Sequence, residues 1–172
     1  NCCGLANFGP ALSLSEADEK AIWQVNYQAP IRLIKQVAER NRKIRLVQLS
    51  SLAALCPHPY LAAYSASKVA LQTYCLALQE ELRLKGSGVT VCLYILGPVQ
   101  TSIFPQELQD ALGGSQLQMS PEIAARRIVR LFKQGRSYAI VGKRYRLLVW
   151  LMRLLPQRWI IRLIGAYLRK GL

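Results

Sequence analysis

Residues 43–96 read KIRLVQLSSLAALCPHPYLAAYSASKVALQTYCLALQEELRLKGSGVTVCLYIL, and the order of apolar and polar residues in this stretch decides the architecture. KIRLVQLSS carries Ile44, Leu46, Val47 and Leu49 in a short apolar run that stops at two serines, the pattern of a buried strand. LAALCPHPYLAA holds two prolines and reads as a loop. From Tyr64 to about Lys85 the pattern predicts a helix, with Ala66, Val69, Ala70, Thr73, Ala77 and Leu78 on or near one face; Gly86 and Gly88 end it. VTVCLYIL, residues 89–96, is a near-continuous apolar run, as a strand covered on both faces requires. Helix alternating with fully buried strand is the signature of an α/β fold with a parallel sheet.

The flanks continue the alternation. Ser13-Leu-Ser-Glu-Ala-Asp opens a helix that Ile22, Val25, Leu33, Ile34 and Val37 carry to about Arg40, with a kink or split expected at Pro30. After Gly97-Pro98 a variable segment reaches Gly113-Gly114; SPEIAARRIVRLFKQG is then a helix with Ser120 as N-cap and Pro121 at its first position. SYAIVG follows as a short strand, and no internal repeat or low-complexity segment occurs.

At 172 residues and 52% apolar content the chain has the size and composition of one globular domain. The apolar run Leu147 to Met152 is far shorter than the roughly 18 residues a spanning helix needs, so no transmembrane helix is expected. Asn1-Cys2-Cys3-Gly4 has no initiator methionine, basic n-region or apolar h-region; it is not a signal peptide and looks like a cut end. Five cysteines (Cys2, Cys3, Cys56, Cys75, Cys92) form no CxxC pair and have only His58 to join them, which argues against a metal site. Their odd number without a signal sequence favours free thiols in a reducing, cytoplasmic compartment.

The net charge of +14 is unevenly placed: residues 121–172 hold 13 Lys/Arg against Glu122 alone, while residues 1–120 hold 10 Lys/Arg and 8 Asp/Glu. Such asymmetry points to an acidic partner for the tail.

Tyr64 and Lys68, four apart on a helix, share a face with roughly 5–6 Å between Cβ atoms. Alone, that pair is an ordinary surface lysine beside a half-buried tyrosine; its neighbours change the reading. Asn1-Cys2-Cys3-Gly4 resembles the NNAG turn of the short-chain dehydrogenase/reductase family, and Asn26 in WQVNYQAP sits where that family's helix carries its tetrad asparagine. Ser51 stands 13 residues before Tyr64, Tyr64 and Lys68 match YxxxK, and LGPVQT, residues 96–101, is similar to the PGxVxT loop that passes the nicotinamide. Cys2, Cys3 and Leu96 depart from those patterns. The resemblance covers about residues 1–142. It implies a Rossmann-like, doubly wound parallel sheet, of which this sequence holds the C-terminal half, followed by a basic amphipathic helical extension over 143–172. The family's glycine-rich TGxxxGxG turn is not among the 172 residues, so the expectation is a fragment, inactive alone, or a degenerate member.

The resemblance implies NAD or NADP as cofactor, a small carbonyl compound or secondary alcohol as substrate, and a homo-oligomer in the full-length form. Tyr64 becomes the acid or base. An ordinary phenol has a pKa of about 10, so work near neutrality asks for a downward shift of about 2 to 3 units, which Lys68 and an oxidised nicotinamide could supply as positive charge. Lys68 would also bind the nicotinamide ribose hydroxyls, Ser51 would hold the substrate oxygen, and Asn26 would help hold a water leading from Lys68 to solvent; the alternative for Asn26 is a polar residue satisfying the bend near Pro30. Asn1, Gly4, Gly97, Val99 and Thr101 complete the implied cofactor contacts. Tyr60 is either a pocket residue or a loop aromatic capping the core, and His58, between two prolines, has no partner in sequence that makes it a base.

The tail, KRYRLLVWLMRLLPQRWIIRLIGAYLRKGL, reads as two helical segments broken at Pro156. In the second, Arg158, Arg162 and Arg169 fall near one face and Ile160, Leu163, Ile164, Tyr167 and Leu168 fill the other, the pattern of a helix on an anionic membrane surface or packed as a lid or dimer contact. Arginines interleaved with so large an apolar face argue against nucleic acid. The rival to the enzyme is a non-catalytic peripheral membrane or scaffold protein. A nucleotide-sugar epimerase is disfavoured, because the segment after Thr101 is too short for a sugar-binding domain.

Overall fold

The computed structural model describes residues 1–40, 43–103 and 118–169. The variable segment between Gly97-Pro98 and Gly113-Gly114 therefore lies in large part outside the described residues. Ser15 caps α1 (Glu16–Trp23) by accepting a bond from the Asp18 N–H at 3.1 Å. The chain then widens into a π turn (Gln24–Gln28) and tightens again into α2 (Ala29–Arg40). The expected irregularity thus falls on this turn, ahead of Pro30, and Pro30 is buried inside α2. Proline has no N–H for the carbonyl four residues back, and the wider turn absorbs that misfit: the Ala29 N–H reaches Gln24 O.

Three parallel strands follow in the order β1 (Lys43–Ser51), β2 (Gly88–Leu96) and β3 (Tyr138–Val141). They end level: Ser51 is in register with Leu96, and Leu96 with Val141. The segments that leave these strands are therefore gathered along one edge, where open α/β sheets bind ligands. The crossover from β1 to β2 is α3 (Ala62–Leu84), and α4 (Pro121–Lys133) precedes β3. Side chains alternate across a strand, and β1 uses both sides. Ser50 Oγ donates to Lys68 O of α3 at 3.4 Å, while Arg45 donates to Phe132 O of α4 at 2.8 Å and lies over the Phe132 ring. Helices thus cover opposite faces, and the sheet is doubly wound.

The inward face of α3 differs from the one its apolar letters predict. Tyr64, Ser65, Ser67, Lys68, Leu71 and Cys75 are buried, whereas Ala66, Val69, Thr73 and Ala77 are exposed. Four of those buried positions are Ser, Lys or Tyr, which a hydrophobic count passes over.

Residues 143–168 form α5 (Lys143–Met152) and α6 (Gln157–Leu168), split at Pro156 as expected. Tyr145 and Val149 of α5 join the main core with Leu71, Val91 and Ile95. Leu168 of α6 joins a second cluster with Ala6, Ala53, Leu61 and Tyr64, and Ile164 packs against it. Leu163 and Tyr167, expected on that same face, are exposed.

Asn26 ties the first residues to this frame. It is fully buried in the π turn; its Oδ1 accepts from the Leu5 N–H at 2.8 Å, and its Nδ2 donates to Leu5 O at 2.8 Å and Ser67 Oγ at 3.0 Å. Truncating it strands buried backbone groups of Leu5. Asn26→Ala should lower unfolding stability in urea by about 2 kcal/mol; an unchanged midpoint would contradict the clamp.

Candidate active site

Ser51 ends β1, and its Oγ accepts from the Ala53 N–H at 3.2 Å, starting the short turn Leu52–Ala54 that leads the chain toward α3. Tyr64 and Lys68 lie in the first two turns of α3, so the helix start aims both back over the strand ends. The Ser51 and Tyr64 hydroxyls are hydrogen-bonded. Lys68 Nζ stands 5.8 Å from the centre of the Tyr64 ring and donates a long bond, 3.4 Å, to Leu49 O. Gly4 approaches from the other side. A Cβ there would lie 3.7 Å from both Lys68 Nζ and Asn26 Oδ1, and 3.2 Å from Ile103 Cδ1. Asn26 is thus a neighbour of Lys68 across Gly4, and its side-chain bonds go to Leu5 and Ser67.

Asn1 lies on the free side of β1, bonded through Nδ2 to Gln48 Oε1 at 3.1 Å, with its backbone nitrogen 2.7 Å from Val47 O. Its Oδ1 accepts from the Cys3 N–H at 3.2 Å, shaping the turn that presents Gly4. At the end of β2, a Cβ on Gly97 would overlap the Tyr145 ring. The Tyr145 hydroxyl donates to Pro98 O at 3.3 Å, so α5 buttresses this loop. Val99 bridges to Met119, and Thr101 Oγ1 donates weakly to Val99 O at 3.5 Å.

These residues surround a cavity of about 730 Å³. Gly4, Ser51, Tyr64, Lys68, Gly97 and Thr101 line it on the polar side, and Leu52, Leu61, Val99, Ile103, Ile128 and Leu148 give it apolar walls. Asn1, Asn26 and Tyr60 stand outside the lining; Tyr60 packs against Phe8 instead, with ring centres 5.7 Å apart. Among the lining residues that the sequence did not assign are Cys3, His58 and Tyr145. Cys3 is close enough to Lys68 to act on its charge. His58 faces the cavity, its Nδ1 held 2.8 Å from Cys56 O and its pKa pushed below the usual value by burial. Tyr145 comes from the tail, where no local motif marks it.

Burial dominates the electrostatics. It pushes the Tyr64 phenol above its ordinary value, with the Ser51 bond acting the other way. It brings the Lys68 ammonium down to about 8, with Cys3 opposing. Tyr64 is accordingly a protonated donor near neutrality, and Lys68 still carries its charge at pH 7. Below pH about 8 Lys68 is charged in both the folded and unfolded chain, and the fold bears the full penalty of burying it. As pH rises through that value the folded chain releases the proton while the unfolded chain keeps it until about 10.5. The contribution of Lys68 to stability should therefore rise between pH 8 and 10.5. Denaturation midpoints of wild type minus those of Lys68→Met should climb across that window; a flat difference would place Lys68 in water.

Residues 1–111 match the short chain dehydrogenase family model. The chain is 36% identical over 93 residues to Hydroxysteroid 11-beta-dehydrogenase 1-like protein of Xenopus tropicalis, covering 53% of this chain and 32% of that protein. It is 33% identical over 110 residues to L-2,3-butanediol dehydrogenase of Corynebacterium glutamicum, covering 62% of this chain and 42% of that one. A short chain dehydrogenase from Burkholderia cenocepacia J2315, solved in complex with NADP, superposes with a TM-score of 0.75 at 17% identity over 95% of this chain and 66% of that chain. The level parallel strands, the YxxxK helix start and these matches define a Rossmann-like dehydrogenase fold. The chain belongs to the short chain dehydrogenase family. It spans about a third to just under half the length of the curated relatives it matches.

Proposed function

We propose that this chain supplies the catalytic part of an NAD(P)-dependent oxidoreductase acting on a carbonyl group or secondary alcohol. The observation that carries it is the Ser51–Tyr64–Lys68 group, held level with the strand ends on one wall of an apolar cavity. The residues present fit the nicotinamide-ribose end of the cofactor. Among the described residues Lys68 Nζ makes one long bond, leaving donors for ribose hydroxyls, and Gly4 and Gly97 line the same cavity. When bound, the dinucleotide supplies or accepts the hydride.

Ser51 holds the substrate oxygen by a hydrogen bond, beside the Tyr64 hydroxyl it already contacts. Tyr64, kept protonated by burial, gives its proton to that oxygen as negative charge develops during carbonyl reduction. In the oxidative direction it takes the proton back. That step is uphill for a buried phenol, and the Lys68 charge beside the ring lowers its penalty. Asn26 is a positioning residue, fixing Leu5 and with it Gly4. In the same reading Asn26 would also help hold a water leading from Lys68 to solvent.

Three further elements belong to the proposal. The glycine-rich phosphate turn is not among these 172 residues, so by themselves they should bind a dinucleotide weakly and turn nothing over. Assembly with a second copy is supported by the exposed stripe of Ala66, Val69, Thr73, Leu76 and Ala77 on α3, and sedimentation velocity reads it. Peripheral attachment to an anionic membrane through residues 143–172 is supported by the outward Trp150, Leu154, Trp159 and Leu163. Among the described residues no helix is long and apolar enough to cross a membrane. The scaffold reading leaves the buried tyrosine and lysine pair without a purpose.

In the full-length protein, Tyr64→Phe should abolish turnover while nearly sparing cofactor affinity, because only the phenolic proton is lost. Lys68→Ala should damage both. Substantial activity in Tyr64→Phe, measured as nicotinamide absorbance change on a ketone panel, would remove Tyr64 from the acid/base role.

A further inference from the structure

A groove of about 940 Å³ runs between α4, β3 and the start of α5, beside the catalytic cavity. Arg127, Arg130, Arg136, Lys143, Arg144 and Arg146 line it, and no carboxylate of the described residues does. All six are exposed. Like charges gathered around one concave surface repel each other, and an anionic ligand relieves that repulsion. The rest of the lining includes Tyr138, Ala139 and Ile140 of β3, whose outer edge pairs with no strand among the described residues. Basic character continues to the end of α5, where Arg153 lies near enough to act on the Tyr138 phenol.

Directly beyond the groove the surface changes character. Leu147, Trp150, Leu151, Leu154, Leu155 and Trp159 point outward from α5, the Pro156 corner and α6. A partner must therefore satisfy cationic side chains and apolar ones side by side. A second copy would bring the same positive groove against its like. A nucleic acid would meet the arginines and leave the leucines and tryptophans in water. An anionic bilayer meets both demands, with headgroup phosphates over the groove and the acyl boundary against the apolar run. Guanidinium forks match phosphate oxygens in geometry as well as charge.

We propose that this groove binds the phosphate headgroups of anionic lipids while the outer face of α5 and α6 enters the membrane interface; the proposal rests on the reading of residues 143–172 as a membrane-attached element. Arg144 lines both the groove and the catalytic cavity, and Leu148 is at once exposed and part of the cavity wall. Docking in this orientation sets the cavity mouth beside the bilayer, where apolar substrates are concentrated.

Flotation of the full chain on phosphatidylcholine vesicles, with and without phosphatidic acid, tests this. Wild type should float only with the acidic lipid. Arg130→Gln/Arg136→Gln/Arg146→Gln should bind the acidic vesicles roughly 100-fold more weakly, at about fivefold per neutralised charge. Trp150→Ser/Leu154→Ser should keep the preference for acidic lipid, with an attachment that salt now strips completely. Circular dichroism confirms that both variants, changed at exposed positions, remain folded. Undiminished binding by the arginine variant would overturn the groove and leave the tail reading standing, whereas failure of wild type to float on any vesicle would overturn both. Displacement from acidic vesicles by millimolar inorganic phosphate would show a free-phosphate site and overturn the lipid assignment. Self-association that the Trp150/Leu154 variant abolishes, with no flotation, would give the face to a second copy instead.

Discussion

The Lys68 ammonium is held in a place that would ordinarily expel it. It is 5% exposed, with a carbonyl of β1 on one side, Gly4 on another and the Tyr64 ring close by. Burial has brought its pKa down to about 8, near the edge of the range in which a lysine stays charged at neutral pH. Much of the surrounding structure serves to hold this group. Asn26 fixes Leu5 so that Gly4 can pass close to it; the level ends of β1, β2 and β3 bring Ser51, Gly97 and Tyr145 to the same edge; and α3 begins where its first turns can reach over them.

The C-terminal helices work in two directions. Their inward residues, Tyr145, Val149, Ile160 and Leu168, complete the core, and Tyr145 packs on the Gly97 backbone. Their outward residues form an apolar run bordered by a cationic groove. One segment thus shapes the cavity and presents a surface, so what binds outside bears on access to the site within.

Much of the fold was legible in the sequence, because β1 and β2 carry short apolar runs and the segment between them is long enough for a helix that Gly86 and Gly88 close. The four-residue spacing of Tyr64 and Lys68 put both on one helix face, and both line the same cavity as Ser51. The inward face of α3 was not legible: polar residues occupy it, and they are buried by bonds that only the folded chain supplies. The π turn escaped for a related reason, since Pro30 signals an irregularity without saying on which residues it falls. Cys3, His58 and Tyr145 reach the cavity through tertiary packing, which has no local signature. The groove draws its arginines from α4, the turn before β3 and α5, so the excess of charge was visible in the sequence but its concave arrangement was not.

The ionisation of Lys68 is the property on which the site depends most. Nuclear magnetic resonance titration of the lysine Cε and Nζ signals, with Lys68 assigned through Lys68→Arg, measures it without reference to any substrate. A midpoint of about 8 is the predicted result. A midpoint near the ordinary lysine value of about 10.4 would mean that the ammonium sits in water, and would contradict the buried tyrosine and lysine pair as the centre of the site.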